Sequence, residues 1–223
     1  MVTPLANDVW WYDLSGTNAF LVDDDTLTLV DAGMGFHASE LIGGLRAAGF
    51  ELRDLDRILL THFDMDHVGG LGAFDGTEVT IHVGAADAPL VTGERKPPLS
   101  NHKGLIQRLG GPLVSAPDNP VEPVEDGDTV GTFTVYETPG HTPGHVCYVS
   151  ESLSTAFLGD LVRESGGRLE PSPWVVSYDT AAVERSLRSL VERAPAFEVA
   201  AMGHGVPFKR EGSRRLADVV TTL

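Results

Sequence analysis

The stretch Thr61-His62-Phe63-Asp64-Met65-Asp66-His67-Val68-Gly69-Gly70 decides how this chain is read. It follows Arg57-Ile58-Leu59-Leu60, a short run rich in strand formers, and breaks at once into His, Asp and Gly. A strand therefore ends where the polar residues begin. Imidazoles and carboxylates at positions 62, 64, 66 and 67 crowd together, and a strand edge or tight turn aims them into one pocket. Imidazole nitrogen and carboxylate oxygen together suit a divalent cation such as zinc, iron or manganese. A solvated polar turn is the competing reading of the same spacing.

Working outward, the 223 residues read as a single domain spanning 1–223, long enough to bury a substantial core. No apolar run approaches the roughly 20 residues that cross a bilayer, and Met1-Val2-Thr3-Pro4 lacks the pattern of a secretory leader, so the expected address is cytoplasmic. Cys147 is the sole cysteine, which excludes an internal disulfide and a cysteine-rich metal site. Thirty-two acids against sixteen bases give a formal charge of -16, and only Lys96, Lys103 and Lys209 are lysine. Such a surface repels phosphate backbones and argues against nucleic-acid binding. The expected partner is a small-molecule substrate.

In chain order, Val9 to Tyr12, Ala19 to Val22 and Thr26 to Val30 read as strands, the last two joined by Asp23-Asp24-Asp25. Ser39 to Ala48 carries Leu41, Ile42, Leu45 and Ala48 at helical spacing, and Gly49 sits where a C-cap glycine belongs. Ile58 to Thr61 and Glu78 to Val83 are further strands. From Gly84 to Pro120 proline and glycine accumulate, and only Leu99 to Leu109 has helical character; a long excursion of this kind is usually a functional lid or mobile loop. Thr132 to Thr138, Val146 to Ser150 and Thr155 to Leu158 are strands. Asp179 caps a helix running through Ala194, Phe197 to Ala201 is a last strand, and Ser213 to Thr221 a closing helix. Strands alternating with helices point to layered α/β construction.

Three more strands end in residues of the same chemical type. His141 and His145 follow Thr138-Pro139-Gly140, Asp160 follows Leu158-Gly159, and His204 lies between Gly203 and Gly205. Glycine beside each lets the backbone crowd a site. Four such endings, drawing on a pool of only eight histidines, argue for convergence.

At this point the chain resembles the metallo-β-lactamase-fold superfamily of metallo-hydrolases, with Asp31, the 62 to 67 cluster, His141, Asp160 and His204 in the family's order. TPGHTPGHVCYV followed by FLGD is most similar to its glyoxalase II-like thioesterase branch. The resemblance implies a four-layer αββα sandwich of α/β (α+β) class with a two-metal site at one edge of the sheets. It implies His62, Asp64 and His141 on a first metal, Asp66, His67 and His204 on a second, Asp160 bridging, and Asp31 holding the ligands from behind. The family's usual HxHxDH is here HxDxDH, so Asp64 puts a shorter, anionic side chain where an imidazole is expected. That shifts preference toward harder ions: zinc stays first, with iron or manganese as alternatives.

The reaction implied is attack of water or hydroxide, oriented by Asp66, on an ester, thioester or lactone carbonyl at one or two metals. An iron-dependent oxidoreductase, persulfide dioxygenase-like or diiron, is the alternative on the same fold, and a metal-poor binding protein the third. Glyoxalase II itself is disfavoured, because residues 205–223 after His204 leave no room for a helical glutathione-binding domain. His145 reads as structural, Cys147 as a buried small residue, and His37, His82 and His102 as ordinary. Trp174 either lines a pocket or packs beneath its loop, and Arg163 and Arg168 are candidates to receive an anionic substrate group.

Overall fold

A computed structural model of the protein describes residues 2–24, 26–110 and 114–223. Asp25 of the expected turn and Gly111 and Pro112 of the excursion lie outside that description. Seven strands form a first sheet in sequential order: β1 Val2–Ala6, β2 Val9–Asp13, β3 Asn18–Asp23, β4 Leu27–Val30, β5 Leu55–Leu60, β6 Thr80–Gly84 and β7 Val121–Val124. The first four pair antiparallel, and β4 through β7 pair parallel. The second sheet holds β8 Thr129–Val130, β9 Phe133–Glu137, β10 Val146–Ser150 and β11 Thr155–Gly159. A β12 Val162–Ser165 and β13 Arg168–Pro171 hairpin follows, and β14 Val199–Met202 then returns parallel to β11, completing the order β14-β11-β10-β9-β8. The helices are α1 Ala38–Ala48, α2 Met65–Val68, α3 Ala88–Val91, α4 His102–Gly110, α5 Thr180–Arg193 and α6 Gly212–Val220.

The layers follow from which faces are apolar. Val9, Phe20, Val22, Val30 and Leu59 of the first sheet meet Phe133, Val135, Val146, Tyr148 and Phe157 of the second in one buried cluster between them. Leu41 and Leu45 of α1 cover the outer face of the first sheet. Val183, Leu187 and Leu190 of α5, with Leu216 and Val219 of α6, cover that of the second. Both faces of β3, β4, β10 and β11 are therefore buried, which is why these strands read as continuous apolar runs rather than alternating ones. This is the expected αββα sandwich of two mixed sheets flanked by helices.

Elements with strong local signals lie where the sequence places them. Gly49 caps α1 at φ 98°, and the Asp179 carboxylate accepts from Ala182 N at 3.1 Å to start α5. The sequence reading missed β1, whose Pro4 is tolerated because the strand lies at a sheet edge, and also β7, β8 and the β12–β13 hairpin, all short or polar. β4, β5, β9, β11 and β14 all end at one rim of the sandwich. The polar residues that follow them meet there.

Candidate metal centre

Asp31, directly after β4, anchors the rim. Its backbone sits in the left-handed region at φ 58°, which turns the carboxylate back over the end of β5. There it accepts from Thr61 N at 2.9 Å and from Thr61 Oγ1 at 2.8 Å, and lies 2.9 Å from His67 Nδ1. A buried carboxylate thus fixes both the start of the His62 turn and the His67 ring.

The other imidazoles are held in the same manner, each by one nitrogen. His62 Nδ1 lies 2.9 Å from Thr61 Oγ1, His141 Nδ1 2.8 Å from Ser172 Oγ, and His204 Nδ1 2.6 Å from the Gly16 carbonyl. In all four rings Nε2 is left facing inward, the arrangement that orients metal ligands. Asp160 is set by a fifth histidine, since its backbone N–H donates to His145 Nε2 at 3.0 Å while His145 Nδ1 meets Thr138 Oγ1 at 2.8 Å. His145 is buried and its ring nitrogens are both used, so it positions Asp160, in keeping with its structural reading.

The inward atoms form overlapping groups, with His62, His67 and Asp160 linking the two described next. In one, His67 Nε2 lies 3.5 Å from Asp160 Oδ1 and 3.8 Å from Asp66 Oδ2, and His204 Nε2 lies 3.1 Å from Asp160 Oδ2 and 3.4 Å from Asp66 Oδ2. His67 Nε2 and Asp160 Oδ1 are buried without a hydrogen-bond partner, as is the neighbouring His62 Nε2. Such atoms are costly unless a cation meets them. The charge around them says the same. Burial lowers the His67 pKa, yet Asp31, Asp160 and Asp66 outweigh it and raise the ring to about 10. His204, likewise opposed by burial, is raised by Asp160 to about 9. Asp66, His67 and His204 therefore fit a divalent ion in geometry and donor type, with Asp160 beside them at 3.5 Å from His67 Nε2 and 3.1 Å from His204 Nε2.

The second cluster joins His62, Asp64 and His141, whose facing atoms lie within 4.8 Å of one another. Here a cation from the protein is already present. Lys103 Nζ of α4 donates to Asp64 Oδ2 at 2.5 Å and to His141 Nε2 at 2.6 Å, while Gln107, one turn on, donates to Asp64 Oδ1 at 2.8 Å. Burial raises the Asp64 pKa, but the Lys103 ammonium and the adjacent His141 and His62 rings hold it well below the usual carboxylate range. Burial and the neighbouring His67 push His62 down to about 4.

All seven expected ligand residues thus meet at one rim, joined by side chains the sequence reading passed over. Lys103 and Gln107 are two of these. Asp87 is a third: fully buried just before α3, it accepts from Phe63 N at 2.9 Å, Thr142 Oγ1 at 2.7 Å and Gly144 N at 2.8 Å, stapling the His62 turn to the His141 loop. Asn18 is a fourth, donating to the Met202 and Gly205 carbonyls that flank His204. Gly203 is required by crowding, since a Cβ there would stand 2.1 Å from Asp160 Oδ1.

Cys147 is fully buried, and burial pushes its thiol up to about 12. His82 and His37 lie off the site. The His102 ring stacks on Trp174 at 4.3 Å, and Trp174, exposed, stands next in the chain to the cavity-wall residue Pro173. Arg163 reaches the cavity wall but pairs with Glu170 at 3.1 Å. The cavity over the centre measures about 470 Å³, floored by Asp64, Asp66, His141, Asp160 and His204 and walled by Val162, Pro173 and Val176. Among the described residues no helix is long and apolar enough to cross a membrane.

Comparison with known proteins agrees with this geometry. Residues 12–204 match the family model described as the metallo-beta-lactamase superfamily. YobT of Bacillus subtilis (strain 168) is 27% identical over 214 residues, covering 91% of this chain and 88% of its own. A hydroxyacylglutathione hydrolase of Bdellovibrio bacteriovorus is 32% identical over 165 residues, 72% of this chain but only 54% of that enzyme. The solved structure of TTHA1623 in a di-iron-bound form is similar with a TM-score of 0.69 at 26% identity, covering 92% of this chain and 96% of that one.

Proposed function

Because the chain belongs to the metallo-beta-lactamase superfamily, we propose that it is a metal-dependent hydrolase acting on the carbonyl of an ester, thioester or lactone. The observation that carries this reading is the meeting of Asp66, His67, Asp160 and His204 at the cavity floor, with lone pairs on His67 and Asp160 that no protein donor satisfies. A divalent ion held there supplies Lewis-acid polarisation and lowers the pKa of water. Zinc is the first choice for this donor set, with iron or manganese next because half of the four donors are carboxylates.

Asp66 faces the cavity beside His204 and is the base that takes a proton from the attacking water and points its oxygen at the carbonyl. Asp31 keeps His67 in the tautomer that leaves Nε2 free, and His145 keeps Asp160 turned inward. Val162, Pro173 and Val176 offer an apolar wall for the acyl part of a small molecule, and the cavity size suits one. Likeness to a hydroxyacylglutathione hydrolase supports a thioester among the three carbonyl classes. The acidic surface speaks against nucleic acid as substrate.

A screen of thioesters, lactones and phosphoesters with zinc-, manganese- and iron-loaded protein tests the proposal. Turnover of a carbonyl substrate is expected, lost in Asp66→Asn. Stoichiometric metal without turnover of any carbonyl substrate counts against it. The likeness to a protein solved in a di-iron-bound form favours, as a second reading, an iron-dependent oxidoreductase. Oxygen uptake with a persulfide substrate, with no ester turned over, would select that one.

A further inference from the structure

We propose that Lys103 takes the place of one of the two metal ions, so that this protein binds a single metal per chain, at Asp66, His67, His204 and Asp160. The inference rests on the reading of that second set as a metal site and goes beyond it by assigning the neighbouring set to an ammonium group.

Three observations carry it. First, Asp64 Oδ2 and His141 Nε2 stand 2.9 Å apart, two lone-pair atoms that repel unless a cation or proton lies between them, and Lys103 Nζ touches both. The ammonium therefore uses the electron pairs a metal in this cluster would need. Second, both oxygens of Asp64 are taken from α4, Oδ2 by Lys103 and Oδ1 by Gln107 four residues later on the same helix face. Third, the lysine is seated rather than draped over the pocket. It is 3% exposed, and its own N–H donates to Asn101 Oδ1 at 2.9 Å. Asn101 Nδ2 in turn donates to the Tyr178 carbonyl at 3.0 Å, Gln107 donates to the Phe63 carbonyl at 2.6 Å, and Tyr178 OH donates to Gln107 Oε1 at 2.6 Å.

These bonds hold α4 against the site, and swinging the ammonium away would leave Asp64 Oδ2 and His141 Nε2 facing each other without their shared cation. Adding a divalent ion beside it sets like charges against each other in a buried site. The contrast is with the atoms beside it: no lysine or arginine among the described residues pairs with Asp66 or Asp160, and His67 Nε2 and Asp160 Oδ1 are left unpartnered, as is His62 Nε2, which Lys103 does not reach and which groups with His67 and Asp160. Fixed positive charge occupies Asp64 and His141, while the atoms that still lack a partner, on His62, His67 and Asp160, lie together beside it.

The test is metal stoichiometry. Wild-type protein and Lys103→Ala are stripped with chelator, incubated with excess zinc or cobalt, freed of unbound ion and analysed for metal, with circular dichroism as the check on folding. Expected are about one equivalent in wild type and about two in Lys103→Ala, with Lys103→Arg staying near one. Manganese titration of wild type followed by electron paramagnetic resonance should show isolated ions without the exchange coupling of an adjacent pair. Two equivalents or a coupled pair in wild type, or one equivalent in a folded Lys103→Ala, overturns the role of the lysine while leaving the hydrolase reading intact. Absence of tight metal in wild type overturns both. Should Lys103→Ala fail to fold, Lys103→Gln and the wild-type titration decide.

Discussion

Replacing Asp31 by asparagine keeps size and shape and changes only what the side chain can accept. In wild type the two carboxylate oxygens serve Thr61 N, Thr61 Oγ1 and His67 Nδ1, all at 2.8 to 2.9 Å. The amide oxygen of an asparagine can still accept from Thr61 N, but its NH2 group then faces Thr61 Oγ1 and His67 Nδ1. To accept from that NH2, His67 must carry its proton on Nε2, the atom aimed at the metal. Metal binding then requires the ring to switch tautomer or turn in a fully buried site. Loss of such a supporting hydrogen bond costs about 10- to 100-fold in metal affinity, or about 1.4 to 2.8 kcal/mol. Competition against a chelator of known affinity, read by fluorescence, measures it, with Thr61→Val as the control that spares His67. Asp31→Asn binding metal as tightly as wild type would refute the claim that Asp31 sets the His67 tautomer.

Other consequences are as direct. In metal-free protein His67 and His204 are raised to about 10 and about 9 from the ordinary 6.5, so the folded chain holds protons that the unfolded chain has released. Their stabilising contribution is complete below about pH 6.5 and is lost as pH rises through 9 to 10; denaturation midpoints of chelated protein should fall across that window and those of metal-loaded protein should fall less, whereas parallel curves would contradict this. Gly203→Ala places a Cβ 2.1 Å from Asp160 Oδ1 and 2.7 Å from His67 Cε1, and should abolish tight metal binding in a chain that still folds, as read by elemental analysis and circular dichroism. Asp179→Ala removes the acceptor for Ala182 N at the start of α5 and should cost about 1 kcal/mol in urea unfolding without altering metal content.

The residues that meet at the rim and the layered fold were legible because their signals are local. A run such as Ile58-Leu59-Leu60 broken by His62 and Asp64 marks a buried strand end whatever surrounds it, and α1 and α5 announce themselves by apolar period and cap. Even the departure at Asp64 was visible as a carboxylate where an imidazole was expected. Its counterpart was not. Lys103 lies 39 positions away, and Asp87 reaches 55 positions to Thr142 Oγ1. Nothing in the residues beside Lys103 distinguishes a lysine that ends in solvent from one that ends between a carboxylate and an imidazole.

By itself, then, the sequence determined which chemical groups this protein has and that they cluster at strand ends, since strand periodicity and glycine placement act over a few residues. Only the tertiary structure decided which of those groups lie against a cation from the chain itself and which are left unpartnered. Charge neutralisation depends on what lies within about 4 Å in space, and α4 is brought to Asp64 by packing that no neighbouring residue in the chain encodes.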